Sequence, residues 1–266
     1  MLQAKNKVIS NKKIKGQYFH CTISAPEIAK HALPGQFINI KVTDKSEPLL
    51  RRPLSIHRVK GRNIELFYEV VGDATDILSQ KKPGGYLDII GPLGNGFQLN
   101  RQTGRPADRQ TIIIAGGMGV APLMFLAEKL VTGYRLQVTD QPLVLLGAKT
   151  KAGILCEKEL KNLDCKVKIA TDDGSLGFNG RVTELLINLL ATGDRRPATI
   201  YACGPRPMLK VITGISREYK IPAQVSLEEH MACGIGACLG CVIETSSGLK
   251  RVCKEGPVFD AKDIIW

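Results

Sequence analysis

The chain has 266 residues, which predicts about two domains, and its 44% hydrophobic and 23% charged residues are typical of a globular protein with a full core. Its net charge of +12 would suit nucleic acid, but only 5% of residues are aromatic, and no basic stretch alternates with aromatics as a base-stacking surface requires. The charge equally suits a phosphate-bearing cofactor, an acidic partner subunit or a solvated lysine-rich surface.

From the sequence we expect neither an export signal nor a membrane-spanning segment. Its first stretch, MLQAKNKVISNKKIKG, lacks the apolar region of a signal peptide. The longest uncharged apolar stretch, residues 112–127, contains glycines and a proline and is shorter than the roughly 20 residues that span a bilayer. We therefore expect a cytoplasmic protein with no membrane span. In that compartment, clustered cysteines bind metals or do redox chemistry more often than they form disulfides.

Residues 1–100 predict a small antiparallel barrel of the six-stranded type. Short stretches rich in β-branched and aromatic residues follow one another there, separated by turn residues. Such a succession is typical of an antiparallel barrel. The predicted strands are QYFHCTIS, GQFINIKV, PLSIHRV, NIELFYEVV and YLDIIGPLG.

Residues 107–225 predict a second domain, after a polar linker at Leu99–Gln110. Strands and helices alternate there, which predicts a doubly wound parallel sheet whose ligands bind at the carboxyl ends of the strands. The strands are TIIIAGG, PLVLLGA, VKIATDDG, TIYACGP and AQVSLE, and the helices are VAPLMFLAEKLVT, ILCEKELKNL, RVTELLINLLAT and RPMLKVITGISREY.

Residues 226–266 contain four of the eight cysteines in the pattern C-x4-C-x2-C-x11-C. The pattern is that of plant-type [2Fe–2S] proteins. A zinc site is less well matched, because zinc sites usually contain two closely spaced cysteine pairs and the second pair is missing here. Gly234, Gly236 and Gly240 allow the tight turns of a cluster-binding loop. The predicted ligands are Cys233, Cys238, Cys241 and Cys253.

The remaining cysteines and the histidines suggest no further site. Cys21, Cys156 and Cys165 are expected to be ordinary buried thiols. The histidines at positions 20, 31, 57 and 230 are scattered, and His230 is expected to pack or hydrogen-bond locally rather than to bind metal.

Two motifs in the barrel could contact phosphates. RRPLSIH, which begins at Arg51, places a guanidinium and a hydroxyl in one patch, and guanidinium groups bind phosphate oxygens in a fork. FYEVVGDAT contains a Gly-x-x-Thr turn that can present backbone amides to a phosphate. From these residues alone, a strand with a surface arginine is an equal alternative.

Three loops of the second domain could bind a nucleotide. In AGGMGVAP, glycines and a helix N-terminus favour a pyrophosphate, although the loop is not G-x-G-x-x-G and simple strand–helix packing is the alternative. In TDDGS, Asp172 and Asp173 could accept from ribose hydroxyls and would repel a 2′-phosphate, which favours NAD over NADP. A carboxylate-rich turn is the alternative there, and Cys203 in ACGP could be a buried structural thiol.

The order of these motifs resembles the ferredoxin–NADP reductase superfamily: Arg-Pro-Leu-Ser, GPLGNGF, IAGGMGVAPL, YACGPRPML and then ferredoxin-like cysteines. Within it, the chain is similar to the electron-transfer subunits of B-type, NAD-dependent dihydroorotate dehydrogenases. The similarity covers nearly the whole chain and is strongest in the final run RVCKEGPVFDAKDIIW.

The resemblance implies one FAD bound by the barrel. Ala74 departs from the Gly-Thr usual at its position, and it would be strained if that backbone required a positive φ. The implied flavin residues are Arg52, Pro53, Leu54, Ser55, Phe67, Tyr68, Glu69, Ala74 and Thr75.

The resemblance also implies NAD as electron acceptor and one [2Fe–2S] cluster. Cys203 would lie beside the nicotinamide and shape its pocket without acting as a nucleophile, and no catalytic residue is assigned. The implied NAD residues are Gly116, Gly117, Gly119, Asp172 and Asp173.

A chain with these cofactors converts two-electron transfer into one-electron transfer. The resemblance implies that electrons pass from the FMN of a catalytic partner through the cluster and FAD to NAD⁺, while the partner oxidises dihydroorotate to orotate in pyrimidine biosynthesis. It further implies a heterotetramer of two plus two subunits, with the loop Met231–Cys241 facing the partner. The alternatives are a diaphorase subunit of a hydrogenase, sulfide dehydrogenase or bifurcating transhydrogenase, and a colourless, zinc-bearing nucleic-acid-binding module.

Overall fold

The computed structural model describes residues 1–99, 110–133, 141–192 and 198–266. The chain divides into two compact units, and neither is continuous in sequence. The first unit comprises 1–96 with 228–258, and the second comprises 97–227 with 259–266. The expected domain boundaries at residues 100 and 107, and most of the expected linker between them, lie outside the described residues.

The first unit is built on an antiparallel sheet, which confirms the expected fold class of this half. Its strand order is β4-β3-β7-β1-β2-β6-β5. The short strand β5 is the seventh member, and it arises because the predicted strand PLSIHRV breaks at Ile56 and His57, which are both buried. The strands are β1 (Leu2–Lys15), β2 (Tyr18–Ser24), β3 (Phe37–Lys41), β4 (Arg52–Ser55), β5 (Arg58–Lys60), β6 (Asn63–Glu69) and β7 (Tyr86–Leu93).

The interior of this sheet is aliphatic. Ile38, Ile40, Ile64, Leu66 and Ile89 have no solvent exposure. They alternate with residues on the outer face, as a strand period of two requires. Each such side chain contributes roughly 1.5–3 kcal/mol by leaving water, so the interior fixes the register of the strands.

Three elements of the first unit were not predicted. The longest is β1, whose lysines alternate with small and polar residues and whose two neighbours are β2 and β7. The others are two short helices, α1 (Pro26–His31), which contacts β6 and β7, and α2 (Asp73–Ser79), which contacts β1.

The same unit ends in a small hairpin. Its strands are β14 (Val242–Thr245) and β15 (Gly248–Arg251), paired antiparallel.

The second unit confirms the predicted parallel α/β sheet. Its strand order is β11-β10-β9-β8-β12-β13-β16, and β8, β9, β10, β12 and β13 pair in parallel. Among the described residues, no helix has the length and apolar character to cross a membrane. The strands are β8 (Gln110–Gly116), β9 (Leu143–Ala148), β10 (Lys166–Thr171), β11 (Phe178–Asn179), β12 (Ala198–Cys203), β13 (Ala223–Ser226) and β16 (Val258–Asp260). The helices are α3 (Val120–Gly133), α4 (Glu157–Asn162), α5 (Val182–Thr192) and α6 (Arg206–Glu218).

In the second unit, the beginning and the end of residues 97–227 are hydrogen-bonded to each other. The Gln98 amide N–H donates to Gln224 Oε1 at 2.9 Å, and Gln224 Nε2 donates to the Gln98 carbonyl at 2.9 Å. The chain therefore enters and leaves residues 97–227 at points that are hydrogen-bonded together.

Glycine is required where the turn after β8 meets the end of β12. A Cβ added to Gly119 would lie 2.1 Å from the carbonyl oxygen of Cys203 and 2.7 Å from the amide nitrogen of Gly204. Both neighbouring atoms belong to the backbone, so a side chain there could be accommodated only by moving a strand end.

We expect Gly119→Ala to lower the free energy of unfolding by about 1–3 kcal/mol, because the added methyl overlaps rigid backbone. Gly214→Ala is the matched control, since Gly214 lies in α6 with no atom within 4 Å of an added Cβ. It should raise stability by about 0.5–1 kcal/mol, because alanine restricts the unfolded chain and favours helix. Denaturant unfolding of both variants checks the opposite signs.

Candidate functional site

The hairpin β14–β15 brings two of the predicted cluster ligands together. Cys241 precedes β14 and Cys253 follows β15, and the amide of Val252 donates to the Cys241 carbonyl at 2.9 Å. The amide of Cys253 also points at Cys241 Sγ, at 3.4 Å. The eleven residues between Cys241 and Cys253 in the sequence pattern therefore form this hairpin. Both thiols are buried.

The other two predicted ligands lie on the loop before the hairpin. The amide of Ala237 points at Cys233 Sγ at 3.3 Å, and the amide of Gly240 points at Cys238 Sγ at 3.5 Å. Backbone amides aimed at sulfur stabilise thiolates, as a cluster with negatively charged ligands requires.

Left-handed backbone gives this loop its tight turns. Gly234 and Gly236 have φ of +68° and +85°, as the sequence predicted. Gly240 is not in a left-handed conformation, and its role is to bring its amide to Cys238. Leu239 has φ of +58° instead, a conformation that the sequence did not indicate and that is costly for a residue with a side chain.

The four thiols form two pairs. Cys233 lies beside Cys238, and Cys241 lies beside Cys253. Within the described ranges, no three His, Cys, Asp or Glu side chains are placed to hold a single metal ion. A zinc ion would need four ligands around one point, whereas two irons in a [2Fe–2S] cluster can share four thiolates as two pairs. Four thiols placed as two pairs fit the two irons of a [2Fe–2S] cluster.

The first and the last of the four predicted ligands, Cys233 and Cys253, differ in pKa. Burial raises the pKa of Cys233, but the amides of Ile235, Cys238 and Ala237 outweigh burial and lower the pKa to about 6. Burial also raises the pKa of Cys253, and the neighbouring Cys241 raises it further, to about 12. A thiolate therefore forms more readily at Cys233 than at Cys253.

The loop is fixed to the barrel by Asn39 of β3. Its Nδ2 donates to the Cys233 carbonyl at 3.0 Å, and an added Cβ on Gly234 would lie 2.4 Å from the same nitrogen. Asn39 is 1% exposed, and its Oδ1 has no hydrogen-bond donor among the described residues. The contact therefore requires both an amide at position 39 and a glycine at position 234.

Asn95 holds the other end of the segment that carries the cysteines. The amide of Asn95 donates to the Gly256 carbonyl at 2.5 Å, and Asn95 Nδ2 donates to the Glu255 carbonyl at 3.0 Å. The cluster segment is thus anchored on the barrel near both Cys233 and Cys253.

Strand β4 carries the predicted flavin motif next to this anchor. Pro53 pairs with Asn39 in the ladder, so the two side chains lie on the same side of the sheet. Arg52 and Leu54 lie on the opposite side, opposite Ile40 and Ile38. Pro53 therefore lies on the face of β4 that is directed toward the cluster loop, and Arg52 and Leu54 do not.

The adjacent arginines have different roles. Arg51 donates to the Asp88 carboxylate at 2.7 Å and to the Asp88 carbonyl at 3.0 Å, so it is committed to the sheet. Arg52 is half-buried, and its Nη1 donates to the Leu50 carbonyl at 2.7 Å, which orients the guanidinium at the start of β4. This geometry is compatible with the flavin role expected of Arg52.

The second predicted flavin stretch lies on β6, which contacts β4. Tyr68 is 1% exposed, and its hydroxyl donates to Asn11 Oδ1 at 3.1 Å, so its ring belongs to the barrel interior. Phe67 and Glu69 lie on the other side of the strand. Tyr18 stacks on Phe67 with ring centroids 6.2 Å apart and pairs with Glu69, so it joins this patch. Tyr18 was not among the predicted flavin residues, because the sequence around it predicted only a strand.

A buried carboxylate lies on the same side of β6. Burial raises the pKa of Glu65, but hydrogen bonds and charges from His20 and Lys60 lower it more strongly, to about 2. His20 lies 3.2 Å from this carboxylate, and its ring contacts the buried His57 edge-on. The outer side of β6 therefore combines aromatic and charged groups.

Ala74 and Thr75 lie in the first turn of α2. Ala74 is helical, and its φ is not positive, so the strain considered from the sequence does not arise. Thr75 Oγ1 accepts from the amides of Val71 and Gly72 at 2.9 and 3.2 Å. The hydroxyl thus caps the helix.

Two of the predicted nucleotide loops, those after β8 and β12, meet at the carboxyl edge of the parallel sheet. A Cβ on Gly116 would lie 2.7 Å from Met208 Sδ in α6, and Gly119 packs on Cys203, so both glycines are needed where this loop packs on the end of β12 and the start of α6. Gly117 differs, because its φ is +52° and an added Cβ would meet nothing within 4 Å. It is the glycine of this loop with open space beside it.

The two aspartates after β10 also differ. Asp173 accepts from the Ser175 amide at 3.0 Å and from the Ser175 hydroxyl at 2.6 Å, and these hydrogen bonds lower its pKa. It therefore shapes the turn. Asp172 is exposed and is the better placed of the two to meet a ribose.

Two family models match the chain. The iron–sulfur cluster binding domain of dihydroorotate dehydrogenase B matches residues 228–265, and the oxidoreductase NAD-binding domain matches residues 113–213. The electron transfer subunit of dihydroorotate dehydrogenase B (NAD(+)) from Desulforamulus reducens is 42% identical over 98% of this chain and 97% of that protein. The corresponding subunit from Geobacillus kaustophilus is 38% identical over 97% and 96%.

This chain belongs to the family of these electron transfer subunits.

Solved structures share the fold of this chain. A chain of the NADH-dependent reduced ferredoxin–NADP oxidoreductase, known from work on flavin-based electron bifurcation, has a TM-score of 0.84 and 30% identity, covering 99% of this chain and 90% of that one. A ferredoxin–NADP⁺ reductase from Neisseria gonorrhoeae with bound FAD and NADP has a TM-score of 0.67 at 17% identity, covering 82% and 91%. The second match supports the fold alone.

We expect Asn39→Ala to speed the loss of iron to a chelator about tenfold, because the Cys233 carbonyl loses its buried donor and outer contacts of this kind hold metal ligands in place. Asn95→Ala removes an exposed tie to the same segment and serves as the control. Iron release followed by absorbance distinguishes them, and equal rates for the two variants would contradict a special role for Asn39.

Proposed function

We propose that this chain carries electrons from the FMN of a catalytic partner through a [2Fe–2S] cluster and FAD to NAD⁺, in the oxidation of dihydroorotate to orotate during pyrimidine biosynthesis. The observation that carries the proposal is the placement of two cysteine pairs on a loop anchored beside β4, the strand that bears the flavin motif. Membership in the electron transfer subunit family supports the same conclusion.

The cofactors of this function are FAD, one [2Fe–2S] cluster and NAD. When bound, FAD exchanges electron pairs with NAD and single electrons with the cluster. In this chain, Arg52 would bind the flavin phosphates, and Phe67 and Glu69 would line the flavin surface. Tyr68 would contribute through its backbone only, because its side chain faces the barrel interior.

We assign the cluster to the four paired cysteines, with backbone amides as donors to their sulfurs. For NAD we retain the five residues implied by the resemblance. Gly117 would allow close approach of the ligand and Asp172 would accept from a ribose hydroxyl, while Gly116, Gly119 and Asp173 would act by shaping the loops. Cys203 is 1% exposed and would line the pocket without reacting.

The cluster loop offers a surface for the catalytic partner. Cys238 is exposed, and Leu239 and Ile235 are 62% and 40% exposed beside it. Exposed apolar side chains next to an electron-transfer centre suit a protein contact that must bring two centres close. We propose that the partner binds dihydroorotate and FMN, that the complex is a heterotetramer of two plus two subunits, and that it is cytoplasmic, where the thiols stay reduced.

One observation favours a second candidate from the same chemistry. The structural match at a TM-score of 0.84 is a chain of a bifurcating NADH-dependent ferredoxin–NADP oxidoreductase. This chain could accordingly serve as the flavin- and cluster-bearing subunit of such a complex. The higher identity to the dihydroorotate dehydrogenase subunits, 42% against 30%, favours the first candidate.

Purified protein should show flavin absorption and the signals of one [2Fe–2S] cluster. We expect Cys238→Ser to abolish the cluster signals and dihydroorotate-dependent NAD⁺ reduction with the partner, while retaining FAD. Cys165→Ser is the matched control, because Cys165 is a buried thiol of the second unit and should change neither. A colourless protein containing zinc would contradict the proposal, and activity only with ferredoxin would favour the second candidate.

We expect Asp172→Ser to raise the ratio of kcat/KM for NADPH over NADH about tenfold, because removing one repulsive carboxylate near a 2′-phosphate is worth about 1.4 kcal/mol. Asp173→Ala should lower Tm without changing that ratio, since Asp173 is engaged by Ser175. Steady-state assays with an artificial electron acceptor check both variants. A changed ratio in Asp173→Ala alone would assign the discrimination to the other aspartate.

A further inference from the structure

The turn that presents Cys253 is closed by an ion pair. The amides of Lys254 and Glu255 donate to the Arg251 carbonyl at 3.1 and 2.9 Å, which folds residues 251–255 tightly around Cys253. Within this turn, Arg251 Nε donates to Glu255 Oε2 at 3.0 Å and Nη2 donates to Oε1 at 2.5 Å. The Arg251 amide donates to Oε2 at 2.8 Å. One carboxylate thus holds both the side chain and the backbone of Arg251.

The same guanidinium reaches the other half of the ligand set. Arg251 Nη1 donates to the Gly236 carbonyl at 2.7 Å, between Cys233 and Cys238. The stem of Lys254 covers Gly236 from another side, because a Cβ added there would lie 2.6 Å from Lys254 Cδ. Arg251 therefore connects the turn of the fourth cysteine to the loop of the first two.

The geometry also places opposite charges beside the four thiols. The side chains of Arg251 and Glu255 are 26% and 30% exposed, so both are partly shielded from water and salt. Reduction of a [2Fe–2S] cluster adds one electron, hence one negative charge, and neither adds nor removes an atom. A fixed cation nearby stabilises the reduced form, and a fixed anion destabilises it.

We propose, resting on the assignment of the cluster to these cysteines, that Arg251 and Glu255 are positioning residues that lock the two halves of the ligand set and set the reduction potential of the cluster in opposite directions. Arg251 raises the potential and Glu255 lowers it. Arg251 both connects the two halves and supplies the positive charge. Only a planar guanidinium can bind Glu255 through two nitrogens and Gly236 through a third.

The test uses the full chain with its cofactors and measures the midpoint potential of the cluster by an EPR-monitored redox titration. Arg251→Gln should lower the ratio of reduced to oxidised cluster at a fixed potential about tenfold, which is about 59 mV for a one-electron couple. Glu255→Gln should shift the midpoint in the opposite direction. Lys161→Gln is the matched control, since Lys161 forms a similar pair with Glu157, four residues away in the second unit, and its loss should leave the midpoint unchanged.

Arg251→Lys separates charge from geometry. The lysine keeps the positive charge but cannot make three directed contacts, so the midpoint should stay near that of the unchanged protein while iron is lost to a chelator faster. Equal retention of iron in this variant and the unchanged protein would overturn the locking role. If Arg251→Gln fails to hold a cluster, Glu255→Gln decides the electrostatic role by the sign of its shift.

Failure of this inference differs from failure of the proposed function. Normal cluster signals, with unchanged midpoints in both Arg251→Gln and Glu255→Gln, would overturn the tuning role and leave the function standing. No cluster signal in the unchanged protein would overturn both.

Discussion

The hydrogen bond from Asn39 to the Cys233 carbonyl is the contact on which the arrangement of the site depends. It joins a buried strand of the barrel to the first predicted cluster ligand, across 194 positions of sequence. Electron transfer between two centres depends on a short and constant gap, and a loop held only by its own turns would not keep one. Because β4 pairs with β3 at this point, the strand with the flavin motif and the loop with the thiols share one rigid support.

The cluster loop is stabilised by hydrogen bonds between its backbone groups and polar or thiol side chains. Amides of Ala237, Gly240 and Cys253 point at sulfur, and carbonyls of Cys233 and Gly236 accept from Asn39 and Arg251. In such a loop the backbone amides donate to the sulfurs and the backbone carbonyls accept from the rest of the protein. The outer side chains of the loop therefore remain exposed. Ile235 and Leu239 can then contact a partner surface without a change in the positions of the four cysteines.

The sequence was informative where the pattern was periodic and local. The α/β half was recognised because buried strands and amphipathic helices of ordinary length alternate there, and α3 and α6 were predicted to within one residue. Strand β1 was missed because its alternating lysines give no apolar face. Helices α1 and α2 were missed because they are only six and seven residues long.

The candidate site was predictable as a set of ligands but not as a set of contacts. Cysteine spacing indicated the four thiols, since spacing in a ligand loop is set by the metal group. The roles of Asn39, Arg251 and Asp173 could not be read from the sequence, because each depends on a partner brought near by folding. Leu239 in a left-handed conformation was equally hidden, since a leucine gives no local signal for it.

The hydrogen bonds between Gln98 and Gln224 have a consequence for the order of folding. In an unfolded chain, closing the separation between Asn39 and Cys233 costs about 5 kcal/mol of entropy by the loop-length relation. Once residues 97–227 have folded and their ends are clamped, the remaining loop is roughly a third as long, which lowers that cost by about 1 kcal/mol. Folding of the nucleotide-binding insert therefore shortens the effective separation between the two sequence segments of the first unit, which favours docking of the cluster loop on the barrel.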